Sequence, residues 1–277
     1  MLAVHDISCV GKCSLTVALP ILSAMGVETS VLPTAVLSTH TGGFTGFTYR
    51  DLTDDIRPIA DHWASLGLQF DGIYTGFLGS FEQLDLVAEL FARFKRGDTV
   101  VVVDPVMADN GELYGIFPDT FPAGMRALCE KADVILPNLT EASLMLDMPY
   151  QEPPYTQAYI EDMLKQLAAI HGGGVVLTGV AFNETELGAA VYDRGAVSYA
   201  MAARIPGYYH GTGDVFGSAL TGALLRGAPQ RGRTLPEAAR IAVDFTVDSI
   251  RRTRDDGTEI RYGVNFEESL KGLINRL

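Results

Sequence analysis

Cysteine is scarce in this chain of 277 residues, which contains only Cys9, Cys13 and Cys129. Three thiols cannot all pair with one another, and no two of them have the C-x-x-C spacing of zinc and redox sites. The sequence therefore predicts neither a disulfide framework nor a zinc centre. Free thiols are typical of a reducing compartment.

Positive charge and long apolar runs are also sparse. The 21 Lys and Arg residues are outnumbered by 34 Asp and Glu, which gives a net charge of −13. An acidic chain is a poor partner for nucleic acid or anionic membranes, and we expect neither. The longest apolar runs, such as the four valines at 100–103, are far shorter than the roughly 20 residues of a membrane-spanning helix. Asp6 and Lys12 interrupt any signal-peptide pattern, so we expect a cytoplasmic protein.

Apolar residues are abundant at 47%, enough for a large core, and their spacing alternates between strand and helix patterns. Strands are predicted at 2–7, 28–33, 72–75, 99–103, 134–136 and 175–177, with a hairpin at 187–192 and 197–201. Helices are predicted at 14–25, 54–66, 81–94, 121–131, 159–170, 215–226, 236–252 and 266–277. Pro20 should kink the first helix or move its start later. This alternation predicts an α/β fold with a doubly wound, mostly parallel central sheet flanked by helices, in one domain over residues 1–277.

Unusual polar or glycine residues follow several predicted strands. They are Asp6 to Lys12, Thr75-Gly76, Asp104 to Gly111, Asn138 to Glu141 and Thr178-Gly179. Each has an ordinary structural explanation, such as a helix capping box at Asn138 to Glu141. Parallel strands bring their carboxyl ends to one edge, however, so we expect these residues to converge on one crevice. The carboxylates Asp104, Asp109 and Glu141 have no cation close in sequence, which suits a hydrated Mg²⁺ ion.

The stretch Gly211-Thr212-Gly213-Asp214 leads directly into an apolar helix. Two glycines and a helix N-terminus can hold an anion with backbone N–H groups, and Asp214 could accept a proton beside it. An N-capping aspartate after a glycine turn is the alternative. Gly11-Lys12-Cys13-Ser14 is not a P-loop, because Asp6 stands where the first glycine is required.

The order of these motifs resembles the ribokinase-like superfamily, and within its vitamin-kinase branch most closely the pyridoxal kinases. The resemblance covers nearly the whole chain. It rests on Ser38-Thr39-His40-Thr41-Gly42, Thr75-Gly76-Phe77, Asp104-Pro105-Val106-Met107 with Asp109, Asn138-Leu139-Thr140-Glu141, and Gly211-Thr212-Gly213-Asp214. Phe77 stands where many pyridoxal kinases have tyrosine, and Ala108 where relatives commonly have glycine.

The resemblance implies that ATP phosphorylates the hydroxymethyl group of a B6 vitamer. Asp214 would be the base, and the backbone of Gly211, Thr212 and Gly213 the anion hole. Aspartate ordinarily titrates near 3.9, so orientation would matter more than basicity in a loose transition state. The resemblance implies substrate contacts from Asp6, Ser8, His40, Thr41 and Phe77, and nucleotide contacts from Asp104, Asp109, Asn138 and Thr178. It also implies Mg²⁺ near Asp109 and Glu141, a monovalent cation such as K⁺, and a homodimer.

Two alternatives remain open from the sequence. A hydroxymethylpyrimidine kinase of thiamine synthesis would use the same Asp214 chemistry on another ring, and a non-catalytic ligand-binding protein would keep only the fold. The intact Gly211-Thr212-Gly213-Asp214 stretch favours an enzyme. A sugar kinase is disfavoured because the extra N-terminal lid strands are missing.

Overall fold

A computed structural model describes residues 1–226 and 233–277. The first 68 residues contain strands β1 (Leu2–Ser8), β2 (Ser30–Leu37) and β3 (Tyr49–Asp51) and helices α1 (Leu15–Ala24) and α2 (Thr53–Ser65). Strand β1 runs parallel to β2, and β3 is antiparallel to β2. The predicted β-α-β unit is thus confirmed. Strand β2 continues beyond its predicted end at Pro33, and the pairing register shifts just after the His5–Pro33 pair, which accommodates the missing proline N–H.

Helix α1 contains Pro20 and still begins at Leu15, so the expected later start is wrong. Proline removes one backbone hydrogen bond from a helix. The side chains of Val17, Ile21 and Leu22 are fully buried, and most helical stability in proteins comes from such packing. Burial therefore outweighs the lost bond.

Residues 69–204 form the second stretch. It contains strands β4 (Gly72–Thr75), β5 (Val100–Val103), β6 (Ala108–Asp109), β7 (Glu112–Leu113), β8 (Val134–Ile135), β9 (Gly174–Val180), β10 (Glu186–Asp193) and β11 (Ala196–Ala203). Its helices are α3 (Phe81–Phe94), α4 (Phe121–Cys129), α5 (Leu139–Met145) and α6 (Gln157–His171). Strands β4, β5, β8 and β9 pair in parallel, and the β10–β11 hairpin adds to β9 antiparallel, as the sequence predicts.

The small β6–β7 hairpin was not expected, because 104–111 has the composition of a loop. Asn110 and Gly111 join its strands, and both have positive φ, at 52° and 81°. This backbone geometry suits a two-residue hairpin turn, in which asparagine and glycine are preferred.

The described part of the last stretch, 205–226 and 233–277, is mainly helical. It contains α7 (Thr212–Leu225), α8 (Leu235–Asp255) and α9 (Leu270–Arg276), with 3₁₀ turns at Ile260–Tyr262 and Glu267–Ser269. The predicted last helix therefore starts four residues late. Helix α7 packs against α1 and α8, and ten of its residues are buried. Gly222 permits this packing, because a Cβ there would overlap the sulfur of Met25.

The chain divides into two compact units, residues 1–68 with 205–277 (unit 1) and residues 69–204 (unit 2). One domain over 1–277 stays a prediction. The α/β class with parallel strands flanked by helices is confirmed. Among the described residues, every helix is too short or too polar to cross a membrane.

Candidate active site

The glycine turn precedes α7 as predicted, but the helix begins three residues earlier than the predicted start at 215. Gly211 is the N-cap residue with φ of 74°, and α7 starts at Thr212. The first N–H groups of a helix lack partners within it, and the helix dipole makes this end positive. Gly213 is exposed, and nothing lies within 4 Å of the position that a Cβ would take there. The turn therefore presents backbone donors at an open surface.

Asp214 follows in the first turn of α7, and its environment makes it a stronger base than an ordinary aspartate. The pKa of Asp214 is raised to about 7: burial is the main cause, a hydrogen bond from the Ser14 backbone N–H opposes the rise, and the negative charge of Asp6 adds to it. Such a carboxylate is half ionised near neutral pH, which suits general base catalysis.

Asp6 lies near Asp214, at the end of β1, and is held by two hydroxyl groups. The Ser8 Oγ donates to its Oδ2 at 3.1 Å, and the Ser14 side chain also bonds to it. Burial raises the pKa of Asp6, and these bonds oppose the rise. Both Asp6 and Ser8 are buried. The Ser8 hydroxyl, which the sequence analysis assigned to the substrate, is thus engaged by Asp6.

His40 links the loop after β2 to the segment that contains Arg261. Its Nδ1 accepts from the Gly42 N–H at 3.2 Å, so its Nε2 carries the hydrogen and donates to the Arg261 carbonyl oxygen at 2.7 Å. Burial lowers the pKa of His40, which favours this neutral form. Both ring nitrogens are therefore engaged by backbone. The neighbouring Thr41 is exposed.

We call Asp6, Ser8, Ser14, His40 and 211–214 the glycine-turn cluster; all belong to unit 1. A second group in unit 2, here called the carboxylate cluster, consists of Asp104, Asp109, Asn138, Glu141 and Thr178. That the two clusters share one crevice stays a prediction.

Asn138 and Glu141 form a capping box at the start of α5. The Asn138 Oδ1 accepts from the Glu141 N–H at 2.9 Å, and the Glu141 Oε2 accepts from the Asn138 N–H at 2.8 Å. They also hold the segment after β5, since Glu141 Oε1 accepts from the Met107 N–H at 3.1 Å and Asn138 Nδ2 donates to the Ala108 carbonyl at 2.8 Å. The explanation of this motif as a capping box is therefore confirmed. A capping role does not prevent the Glu141 carboxylate from also acting on a metal ion.

Glu141 is a buried carboxylate next to another one. Burial raises its pKa well above the ordinary range, and the negative charge of Asp109 raises it further, against three backbone N–H groups that lower it. A nearby cation would stabilise the ionised form. Among the described residues, no three acidic, histidine or cysteine side chains are close enough to ligate a metal directly. The carboxylate oxygens of Asp109 and Glu141 are of the kind that Mg²⁺ prefers, and this ion usually keeps several of its waters.

The other residues predicted for unit 2 lie at strand ends. Asp104 is buried just after β5. Asp109 lies in β6 and accepts from the Asn110 N–H at 2.9 Å. Thr178, in β9, donates its N–H to the Pro137 carbonyl at 2.9 Å and pairs with Asn138. Phe77 packs near the Phe117 ring at 5.8 Å between centroids.

Sequence reasoning missed Ser14, which lies in a stretch that was tested as a P-loop. Cys13 lies close enough to Asp214 and Asp6 for their negative charges to raise the pKa of its thiol. No sequence signal marks Ser14, because it meets its partners only after β1, α1 and α7 have come together.

We expect the thiols of the folded protein to differ sharply in reactivity. Cys9 is exposed, whereas burial and the charges of Asp214 and Asp6 raise the pKa of Cys13, and burial raises that of Cys129. Since the thiolate is the reactive form, iodoacetamide at pH 8 should label Cys9 first. Peptide mass spectrometry measures the three rates, with urea-unfolded protein as the control. Labelling of folded Cys13 as fast as Cys9 would contradict this environment.

Known proteins share this architecture over nearly their whole length. A Bacteroides thetaiotaomicron protein, described as a phosphomethylpyrimidine kinase and crystallised in a form with pyridoxal, is 40% identical with a TM-score of 0.89, covering 98% of this chain and 94% of that one. The pyridoxal kinase from Lactobacillus plantarum is 35% identical with a TM-score of 0.90, covering 99% and 96%.

A sequence relative is the pyridoxine/pyridoxal/pyridoxamine kinase of Bordetella bronchiseptica, 27% identical over 89% of this chain and 87% of its own. The sequence profile of the phosphomethylpyrimidine kinase family matches residues 19–264. The resemblance to ribokinase-like vitamin kinases is confirmed, and the chain belongs to the phosphomethylpyrimidine kinase family.

Proposed function

We propose that this protein is an ATP-dependent kinase that phosphorylates the hydroxymethyl group of a B6 vitamer: pyridoxal, pyridoxamine or pyridoxine. A relative named for all three vitamers and a similar structure containing pyridoxal support the substrate class. The observation that carries the chemistry is Asp214, a carboxylate with a pKa of about 7 in the first turn of a helix behind two glycines.

The glycine-turn cluster would serve the alcohol. Asp214 accepts the hydroxyl proton as the alcohol oxygen forms its bond to the γ-phosphorus of ATP, and the bond from that phosphorus to the β-phosphate oxygen breaks to release ADP. Phosphoryl transfer depends mainly on positioning and on stabilising the oxygens of the transferred group. The N–H groups at the start of α7 are suited to that second task.

The carboxylate cluster would serve the nucleotide. We assign Asp104, Asp109, Asn138 and Thr178 to nucleotide binding, and Asp109 and Glu141 to Mg²⁺ through water molecules. Bound Mg²⁺ neutralises phosphate charge and so assists departure of ADP. Raised pKa values at closely spaced carboxyl groups, such as that of Glu141 beside Asp109, are common at functional sites. Asp104 and Thr178 would also be the residues nearest to a monovalent cation such as K⁺.

Replacing Glu141 with glutamine should weaken the response to Mg²⁺. Glutamine removes the charge and keeps one acceptor oxygen, which can serve either the Asn138 N–H or the Met107 N–H, because these two groups bond to different oxygens of Glu141. Changes to groups around a metal typically lower metal affinity about 10–100-fold, so the Mg²⁺ concentration for half-maximal activity should rise by a similar factor. Glu152→Gln, at an exposed acid of the same unit, is the matched control. An unchanged Mg²⁺ midpoint in Glu141→Gln would contradict this assignment.

The function itself is tested by measuring ADP formation from ATP with each B6 vitamer and with hydroxymethylpyrimidine. We expect turnover on at least one vitamer and a rate about 10²–10⁴-fold lower in Asp214→Asn, which excludes a contaminating kinase. Faster turnover of hydroxymethylpyrimidine would favour the alternative kinase, to which the family name gives some support. No turnover of any of these alcohols would favour a binding protein.

We also propose that the protein is a cytoplasmic homodimer, as the resemblance implies. Light scattering coupled to size-exclusion chromatography gives the molar mass, which is 29.9 kDa for one chain. A mass of one chain at micromolar concentration would rule out a stable dimer.

A further inference from the structure

Ser14 has a backbone conformation that residues other than glycine rarely adopt. It is the N-cap of α1, with φ of 55° and ψ of −132°. These angles are close to those of the first central residue of a type II′ turn, a position dominated by glycine. Holding another residue in a sparsely populated region requires support from the surrounding structure, and such residues collect at functional sites.

The Ser14 side chain does not do what a serine at this position usually does. An N-cap serine normally accepts a hydrogen bond from a backbone N–H two or three residues later. Ser14 makes no such bond. Its carbonyl oxygen accepts from the N–H groups of Val17 and Ala18, at 3.0 and 2.9 Å, so the helix start is maintained by backbone alone.

The polar groups of Ser14 instead meet two carboxylates. Its N–H bonds to Asp214, and its hydroxyl bonds to Asp6. Ser14 is also bridged to Ile7 of β1 by backbone pairing, and it is buried. Ser14 thereby contacts both the last residues of β1, which contain Asp6, and the first turn of α7, which contains Asp214.

We propose that Ser14 is a positioning residue for Asp214: its strained backbone directs the N–H to the Asp214 carboxylate while its hydroxyl holds Asp6. This inference rests on the proposed function, in which Asp214 is the base. It adds a residue that no motif of the chain singles out.

The geometry explains why a strained serine would be kept where glycine would be easier. Glycine could adopt the same angles without strain but has no hydroxyl for Asp6. Two carboxylates near one another repel, and a donor to each keeps both in place. The titratable groups that face Asp214 are Asp6 from β1 and the Cys13 thiol before α1, and His40 faces Asp6 from the loop after β2.

Two substitutions separate strain from hydrogen bonding. Ser14→Ala removes the hydroxyl and keeps the strain, whereas Ser14→Gly removes both. We expect kcat to fall about 10–100-fold in both variants, as for a misplacement of about 1 Å, with little change in KM for the vitamer. Ser14→Gly should nevertheless have a Tm about 2–4 °C higher than that of Ser14→Ala, because these two variants both lack the hydroxyl and differ in the strain of the backbone.

The matched controls are Ser23→Ala and Ser23→Gly, at an exposed position of the same helix. Glycine there should lower Tm, as usual inside a helix, and kcat should not change. A lower kcat together with a higher Tm in Ser14→Gly than in Ser14→Ala supports the proposal, because a purely structural residue would not move the two in opposite directions.

Full kcat in both Ser14 variants, beside an inactive Asp214→Asn, would overturn the role of Ser14 and leave the proposed function intact. A lower Tm in Ser14→Gly than in Ser14→Ala would overturn the claim of strain. No turnover by the unmodified protein on any tested alcohol would overturn the proposed function, and this inference with it.

Discussion

Replacing Asp214 with asparagine should lower kcat by about 10²–10⁴-fold, the usual contribution of a general base. Asparagine has nearly the same shape, so the start of α7 and the backbone donors of the glycine turn should remain. ATP binding, measured by isothermal titration calorimetry, should therefore change little. Asn138→Ala would be expected to do the reverse and weaken nucleotide binding. Retention of kcat in Asp214→Asn would exclude this residue as the base.

The pH dependence gives a second test of the same residue. With a pKa of about 7, Asp214 is mostly protonated below that pH and cannot accept the hydroxyl proton. The kcat/KM of the unmodified protein should therefore rise from pH 5.5 to 8 with a midpoint near 7. The residual rate of Asp214→Asn should lack this rise. A midpoint near 4 would mean that the carboxyl group is not shielded from water.

The raised pKa also has a consequence for stability. The folded state favours protonated Asp214, because its pKa is higher there than in the unfolded chain. Ionised Asp214 therefore lowers the stability of the fold most above pH 7. This loss of stability shrinks as the pH falls below about 7 and ends near the pKa of the unfolded chain. Asp214→Asn should thus raise Tm most at pH 8.5, less at pH 5, and have little effect below about pH 4. Asp85→Asn, at an exposed position, provides the baseline.

Most of the fold could be predicted because its signals are local. Helix α3 lies at 81–94 as predicted, since its apolar spacing and the Ser80 cap both stand in the sequence. The capping box of Asn138 and Glu141 and the helix start after Gly211 likewise depend on residues within a few positions. Local patterns of this kind survive folding because packing reinforces them.

The rest depends on contacts between residues distant in sequence. The raised pKa of Asp214 comes from burial and from Asp6, more than 200 positions earlier in the chain. The engagement of both His40 nitrogens requires the Arg261 carbonyl, and the strained backbone of Ser14 depends on β1 and α7 together. Composition and periodicity do not reveal contacts between residues so far apart in sequence. The sequence therefore indicated which residue types form the site, but not their protonation, hydrogen bonding or backbone strain.

Gly211→Ala should be the most destabilising single substitution in the glycine turn. Gly211 has φ of 74°, which costs a residue with a side chain about 1–2 kcal/mol. A Cβ there would also overlap the Lys12 carbonyl oxygen, and overpacking of this kind costs about 1–3 kcal/mol. The free energy of unfolding, from urea titration, should thus fall by about 2–5 kcal/mol.

Lys12 cannot move away easily. Its N–H donates to the Tyr262 carbonyl at 2.8 Å, and its Nζ donates to Asn265 and Glu267 at 2.9 and 2.8 Å. Gly213→Ala, two residues later, is the matched control, because nothing lies near its Cβ and alanine is the better helix former. It should leave the free energy of unfolding unchanged or raise it. Equal losses in both variants would contradict this explanation. A loss confined to Gly211→Ala and larger than the roughly 2 kcal/mol that its φ alone can cost would show that Gly211 keeps Lys12, and with it Cys13 and Ser14, against the start of α7.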